Sequence, residues 1–406
     1  MRVAINAWFW DSPTTGSGQY TRRLVEHLAA VAPDLEIVLI APEGYWFQVS
    51  RFTFHVSRGT QPETWNLKPE TGSLRKVWFE QVAFPRACRY LEADVAHVPY
   101  WAPPLRPSIP TVVTIHDLIP LLLREYRRGP LVRLYTALVS KTAQSAALVL
   151  TDSEASRRDI VTHLELPKER VRVVCLAADK RYTPTPSPLT EGSRRGVKPS
   201  PLPGGSRRGV EPSPLIGGSR RGVRYVLYLG GFDVRKNVAT ALGTYRWAGP
   251  AIGEECPLVI AGRLPERDTP FTPDPRRLAR EQGVDERFVR FIGFVDEADK
   301  PALYRGAVAL IFPSRYEGFG LPVLEALACG TPVVGSDAAS IPEVVGNAGV
   351  LLPPDDAEGM AGALIRLATD ADFRAELSRR ALAQAARFSW ERTARETLAA
   401  YQEVME

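Results

Sequence analysis

Cysteine is scarce in this chain. Cys88, Cys175, Cys256 and Cys329 are the only four in 406 residues, and they stand far apart with no CxxC pair. Neither a zinc site nor a disulfide framework follows from that spacing, and the four read as small buried apolar side chains. Long apolar runs are missing too, since none approaches the ~20 residues that a membrane-spanning helix needs. The first strand is expected from Arg2, which leaves no room for the charged and apolar parts of a signal peptide. A cytoplasmic location is the expectation. A full Gly-x-Gly-x-x-Gly fingerprint and a Tyr-x-x-x-Lys pair are also absent, which counts against a nucleotide-sugar epimerase or dehydrogenase.

What is present suffices for two domains. The length exceeds what one core organises, and apolar residues at 45% can fill two. The formal charge of +5 divides unevenly: residues 1–182 carry +5, residues 183–224 carry +6 and residues 225–406 carry −6. The first half can therefore meet an anionic partner, a membrane surface included, although a solvated Arg-rich surface is the simpler reading. Short Val/Ile/Leu-rich runs alternate with helical patterns throughout, the form of βαβ units and parallel sheets. Strands are expected at 2–7, 36–41, 95–98, 111–115, 147–151 and 171–175, then at 225–229, 258–261, 289–292, 308–312, 332–335 and 350–352. The last helix, from about Trp390, has Ala394, Leu398 and Tyr401 on one stripe.

Between the halves lies a tandem repeat: Pro186–Lys198, Pro199–Glu211 and Pro212–Val223 are near copies of PSPLxxGSRRGV. Proline, glycine, serine and arginine dominate it, so it is expected to be a disordered extension of the linker 183–224. Its alternative role is an Arg-Arg arm for nucleic acid or acidic lipid.

The strongest motif runs Phe312-Pro-Ser-Arg-Tyr-Glu317-Gly-Phe-Gly-Leu-Pro-Val-Leu-Glu325. A buried strand ends, a glycine-bearing loop follows, and Pro322 suits the first turn of a helix. The amides of Phe319, Gly320 and Leu321 then stand at a helix's positive end, where a diphosphate fits. This stretch, with the continuation from Ser336 to Asp355, resembles the retaining glycosyltransferases of family four, whose Glu-x7-Glu signature would be Glu317 and Glu325. The resemblance implies an α/β protein of two Rossmann-like domains facing across a cleft (GT-B): 1–182 for the acceptor, 225–389 for the nucleotide sugar, and helix 390–406 crossing back. It also implies that Glu325 holds the ribose, that Glu317 contacts the donor sugar, and that no metal and no cofactor are used.

Three further motifs complete the set. Gly230-Gly231-Phe-Asp-Val-Arg235-Lys236-Asn237 follows the first strand of the second half. Its glycines permit close backbone approach, and Lys236 can meet the charge that grows on a departing diphosphate. The family often has Arg where this chain has Gly231, and Arg235 is the candidate substitute. Gly16 and Gly18, after the first strand, would let that loop close over donor and acceptor. His116-Asp117 ends a buried strand, where α/β folds present functional side chains; in the family such a His touches the donor sugar or reacting centre. The sole Asp-x-Asp, Asp370-Ala-Asp372, reads as a helix cap. Leu74–Leu91 mixes aromatic and basic residues as interfacial helices do, with Pro85 expected to interrupt it. An ordinary amphipathic core helix is the simpler reading there.

The partners expected are a nucleotide-diphosphate sugar, first GDP-mannose on resemblance to mannosyltransferase-like sequences, and a saccharide or lipid-linked acceptor. Peripheral membrane contact through the first domain is left open, and no nucleic acid is expected. Replacing Pro186–Val223 by a few Gly/Ser residues should leave transfer within about tenfold of the full chain, because loop closure changes by only ~0.6 kcal/mol per doubling of length. A folded deletion variant that loses more would give the Arg-Arg units a function, checked by binding to acidic vesicles.

Overall fold

The computed structural model describes residues 1–12, 15–42, 46–50, 53–57, 72–126, 129–185 and 224–406. The tandem repeat lies outside the described residues. The chain forms two compact units, Met1–Ala177 with Phe388–Glu406, and Ala178–Arg387.

In the first unit the strands are β1 (Arg2–Asn6), β2 (Glu36–Ile40), β3 (Trp46–Ser50), β4 (Thr53–Ser57), β5 (Val95–Val98), β6 (Thr111–Thr114), β7 (Leu148–Thr151) and β8 (Val171–Val173). They form one sheet in the order β4-β3-β2-β1-β5-β6-β7-β8. All pairings are parallel except β2–β3 and β3–β4. The antiparallel hairpin was not among the expected strands, although Phe47, Val49, Phe54 and Val56 alternate as hairpin strands do. β5, β6 and β7 are buried along their whole length, as strands covered on both faces must be. Their aliphatic side chains join Phe79, Phe84, Val139 and Ile160 in the core.

The second unit holds β9 (Tyr225–Leu229), β10 (Leu258–Ala261), β11 (Val289–Gly293), β12 (Ala307–Phe312), β13 (Val333–Ser336) and β14 (Gly349–Leu352). Their order is β11-β10-β9-β12-β13-β14, all parallel. From β9 the chain winds outward to β10 and β11, and from β12 it winds the other way. The carboxyl ends of β9 and β12 therefore flank a topological switch point, as those of β1 and β5 do in the first unit, and ligands of open α/β sheets bind there.

Two local features differ from the sequence expectation. The segment 72–90 stays helical past Pro85, because a π-helical turn over Phe79–Ala83 precedes it and Phe84 closes that turn by donating to the Phe79 carbonyl. Pro85 then occupies the first turn of the following helix, where its missing N–H costs nothing. The last helix, Trp390–Glu403, buries Trp390, Thr393, Ala394, Thr397, Ala400 and Tyr401, while Leu398 is only half-buried. The stripe packs against the helix Gly16–Val31, and Thr393 Oγ1 donates to the Cys175 carbonyl at 2.7 Å.

Tyr401 reaches furthest in: its Oη lies 2.6 Å from Nδ1 of fully buried His97 on β5. His97 Nε2 lies 2.8 Å from Thr114 Oγ1, and that hydroxyl lies 3.0 Å from Tyr20 Oη. Burial, with the nearby His116 adding to it, pushes the His97 pKa down to about 3, so His97 is a neutral hydrogen-bonding node. Tyr401→Phe strands Nδ1 in the core. We expect it to cost ~1–3 kcal/mol, read as a lower urea midpoint; an unchanged midpoint would show that this bond does not anchor the helix.

Candidate functional site

The loops after β9 and β12 converge at the switch point of the second unit. After β9 the backbone turns at Gly230-Gly231 so tightly against the end of β10 that a Cβ on Gly262 would lie 2.2 Å from the Gly230 carbonyl oxygen. A single turn, Val234–Lys236, follows and ends at Asn237 with φ +52°. Asn tolerates this left-handed backbone, and its Nδ2 donates to the Pro354 carbonyl at 2.7 Å and to Asp355 Oδ1 at 3.1 Å. The helix Val238–Ile252 starts there.

Held in this way, two cations meet one carboxylate from the neighbouring loop. Lys236 Nζ lies 2.7 Å from Glu317 Oε1, and Arg235 Nη1 lies 2.6 Å from Glu317 Oε2. Arg235 also donates to the Tyr316 carbonyl at 2.8 Å and lies 3.5 Å from Asp233. Glu317 is 8% exposed. Burial alone would raise its pKa, but Lys236 and Arg235 outweigh that and hold it below the usual carboxylate range. Ser340 Oγ lies within 2.9 Å of the Glu317 and Phe319 carbonyls and braces the loop. Gly320 then takes φ +104°, and no side chain caps the helix Leu321–Ala328 that begins after it. The amides of Gly320 and Leu321 thus sit at a positive helix end with no side-chain cap, on the same loop as the glutamate that holds the two cations.

Glu325 lies one turn into that helix and is brought to a different set of groups. Tyr304 Oη donates to its Oε2 at 2.9 Å, and the Tyr182 ring stands edge-on to Tyr304 at 5.9 Å. Glu297 pairs with Lys300 and accepts from Tyr182 Oη at 3.5 Å. Burial pushes the Glu325 pKa up to about 7, against the pull of Lys300 and the Tyr304 hydroxyl. Tyr182, Glu297, Lys300 and Tyr304 were not foreseen, and no local motif marks them; only the packing around Glu325 brings them together.

In the first unit His116 stands just past β6. Its Nδ1 lies 2.7 Å from Oδ2 of Asp152, the residue that follows β7. Burial works against the imidazolium, but Asp152 and Asp117 outweigh it and raise the His116 pKa. Tyr20 meets the imidazole edge-on at 4.7 Å. Asp117 Oδ1 accepts from the Ile119 amide at 2.9 Å and so shapes its own loop. Asp152 is another residue that sequence reasoning missed; a lone Asp directly after a strand was the available signal. Gly16 opens the helix Gly16–Val31 in open space, whereas a Cβ on Gly18 would lie 2.1 Å from the Ser12 carbonyl oxygen. Gly18 is thus required by the packing of its own loop. Asp370 caps the helix Ala371–Ala385 through the Phe373 amide at 2.9 Å. Among the described residues no group of three or more His, Cys, Asp and Glu could hold a metal, and no helix is long and apolar enough to cross a membrane.

Two α/β units built on mainly parallel sheets, with convergent loops at the switch point of the second, define the GT-B glycosyltransferase fold. Solved structures with that fold superpose on nearly the whole chain. Sucrose-phosphate synthase from Thermosynechococcus elongatus does so with a TM-score of 0.68 at 20% identity, covering 100% of this chain and 99% of that one. HepE of Anabaena, in complex with UDP and glucose, gives 0.64 at 17%, covering 98% and 99%. Residues 14–181 match the family model "Glycosyltransferase Family 4", and residues 223–370 match "Glycosyl transferases group 1". The chain belongs to the family-four glycosyltransferases. O-antigen chain mannosyltransferase B of Escherichia coli is 29% identical over 397 residues, 96% of either chain.

The buried state of Glu325 yields a test of the site's cost. A carboxyl whose folded pKa is raised lends stability that is complete below its unfolded pKa and is lost as pH rises through about 7. Glu325→Gln abolishes that loss. The variant should resist urea better than the parent at pH 8, by up to roughly 3 kcal/mol, with the gap closing towards pH 5. Parallel stability–pH curves for the two proteins would contradict the assignment.

Proposed function

We propose that this glycosyltransferase moves a hexose, mannose from GDP-mannose first, from a nucleotide-diphosphate sugar to a saccharide or lipid-linked acceptor, with retention and without a metal ion. The observation that carries the proposal is the pairing of Lys236 and Arg235 with Glu317 beside the uncapped helix end. In the unliganded protein Glu317 occupies the cations. A bound diphosphate would draw Lys236, and with it Arg235, onto its own oxygens, while the amides of Phe319, Gly320 and Leu321 and the bare backbone at Gly231 meet the remaining oxygens. Glu317 then becomes available to the sugar hydroxyls, and Glu325 to the ribose hydroxyls.

When the bond from the anomeric carbon to the diphosphate breaks, the electron pair goes to the phosphate oxygen. Lys236 and the helix end stabilise that charge, so these fixed positive groups do the work a divalent cation does elsewhere. The acceptor hydroxyl attacks from the leaving group's face, its proton passes to the departing phosphate, and configuration is retained. His116 supplies a polar contact to the transferred sugar, and the loop carrying Gly16 and Gly18 covers the reactants. The choice of mannose is supported by the full-length likeness to the E. coli mannosyltransferase.

We place the enzyme in the cytoplasm, at the inner face of a membrane if the acceptor is lipid-linked. Leu74 and Tyr90, 61% and 60% exposed, share the segment 72–90 with exposed Arg86 and Arg89, which suits peripheral contact. No nucleic acid takes part.

Lys236→Ala and Glu325→Ala should each lower donor affinity or rate by about one to two decades, the loss of a charge-assisted contact of ~1.5–3 kcal/mol. Arg235 still neutralises Glu317 in the first variant, so the fold should hold. The measurement is hydrolysis and transfer across a panel of nucleotide sugars, with and without chelator, and the anomer of the product by NMR. Wild-type kinetics in either variant, a strict magnesium or manganese requirement, or an inverted product would overturn the corresponding part.

A further inference from the structure

His116 is held more firmly than a residue that only fills space. Its strand β6 pairs with β7 in parallel register, Thr114 opposite Leu150, so the two residues past one strand end face the first residue past the other. Asp152 occupies that place, 2% exposed, directly before Ser153, whose Oγ caps the helix Glu154–His163 by accepting from the Ser156 amide at 3.0 Å. A carboxylate just ahead of a helix N-terminus is favoured electrostatically; burial nevertheless raises the Asp152 pKa, against the pull of the His116 ring. Ser156 Oγ donates to the His116 carbonyl at 3.1 Å, fixing the backbone as well as the ring. The Tyr20 ring closes a further side, and its own hydroxyl is tied to Thr114.

Because an ionised carboxylate only accepts, the 2.7 Å contact puts the proton on Nδ1. Nε2 is then the other polar ring atom: it is buried and makes no hydrogen bond of normal geometry, with the Pro99 carbonyl the backbone acceptor close to the ring. A buried, unmatched imidazole nitrogen is costly unless a ligand meets it.

We propose that Asp152 is the positioning residue of His116, fixing Nδ1–H and supplying the ring's counter-charge so that Nε2–H donates to an oxygen of the transferred sugar or its leaving phosphate. This rests on the reading that His116 contacts the reacting sugar. The groups that face the imidazole are Asp152 past β7, Asp117 on its own loop, the Pro99 carbonyl after β5, Tyr20 from the helix Gly16–Val31 and His97 on β5. His97 is neutral and adds no charge; the two carboxylates favour the cation, as does the Pro99 carbonyl, and Asp152 is the carboxylate in contact.

Nitrogen NMR of the full chain with ¹⁵N-labelled histidine, read together with pH–rate profiles, tests the proposal. In the wild type His116 should show a protonated Nδ1 and titrate above the ordinary imidazole range. In Asp152→Asn, whose amide oxygen can still accept from Nδ1–H, the ring stays oriented but loses its counter-charge. Its titration and the alkaline limb of kcat should both move down by about one pH unit or more, with kcat down at least about tenfold and KM little changed. Asp152→Ala should lose more, by releasing the ring. A purely structural Asp152 would alter melting without moving the alkaline limb. If Asp152→Asn keeps the wild-type limb while His116→Ala is inactive, the positioning role fails and the reading of His116 stands. If His116→Ala is fully active, that reading fails instead. A wild-type titration at or below the ordinary range overturns the proposal without reference to any variant.

Discussion

One guanidinium and one ammonium group held against one buried carboxylate organise the second unit. Lys236 and Arg235 come from the loop after β9, Glu317 from the loop after β12, and the three close the switch point between neighbouring parallel strands. Burying an ion pair is seldom favourable by itself, since desolvation offsets most of the attraction. Here two cations share Glu317, and Arg235 is balanced by Asp233 as well, at 3.5 Å. On the proposed reading the arrangement is prepared for a polyanion: the ligand would replace an existing partner, and no bare cation need wait in the core. The backbone devices nearby serve that arrangement. Gly230 passes within reach of Gly262, Asn237 takes a left-handed turn, and Ser340 ties down the loop that carries Glu317.

The two glutamates of the loop-helix motif are therefore in opposite electrostatic states although seven residues separate them. Glu317 is kept ionised by its cations, whereas Glu325 is pushed up to about 7 by burial among tyrosines. One is a charge that holds the loops together; the other is a buried carboxyl that accepts from the Tyr304 hydroxyl. In the first unit the same logic recurs at smaller scale, with Asp152 set behind His116 and one imidazole nitrogen left unmatched.

Much of the fold was legible because parallel strands advertise themselves. Each expected run of Val, Ile and Leu coincides with a strand, with ends moved by a residue or two where the ladder stops short. The hairpin β3–β4 escaped because its alternation sits in a stretch read as connection. Pro85 misled because a proline's effect depends on the turn before it, and the π turn over Phe79–Ala83 depends on packing that no local rule supplies. At the site, the loops that follow strand ends were readable: Lys236, Glu317 and His116 all stand on them. Their partners were not. Lys236 and Glu317 are 81 positions apart, and His116 and Asp152 are 36 apart. Only strand order makes such pairs neighbours. The tyrosines around Glu325 belong to this second group, and so does the demand of Gly18, which comes from its own loop and the Ser12 carbonyl.

What the loops at β9 and β12 are for can be seen directly in a crystal structure with GDP or GDP-mannose bound. The account predicts the diphosphate on the amides of Phe319, Gly320 and Leu321, with Lys236 Nζ moved from Glu317 to a phosphate oxygen and the ribose hydroxyls on Glu325. A nucleotide bound elsewhere, or a diphosphate that leaves the Lys236–Glu317 pair closed, would contradict it.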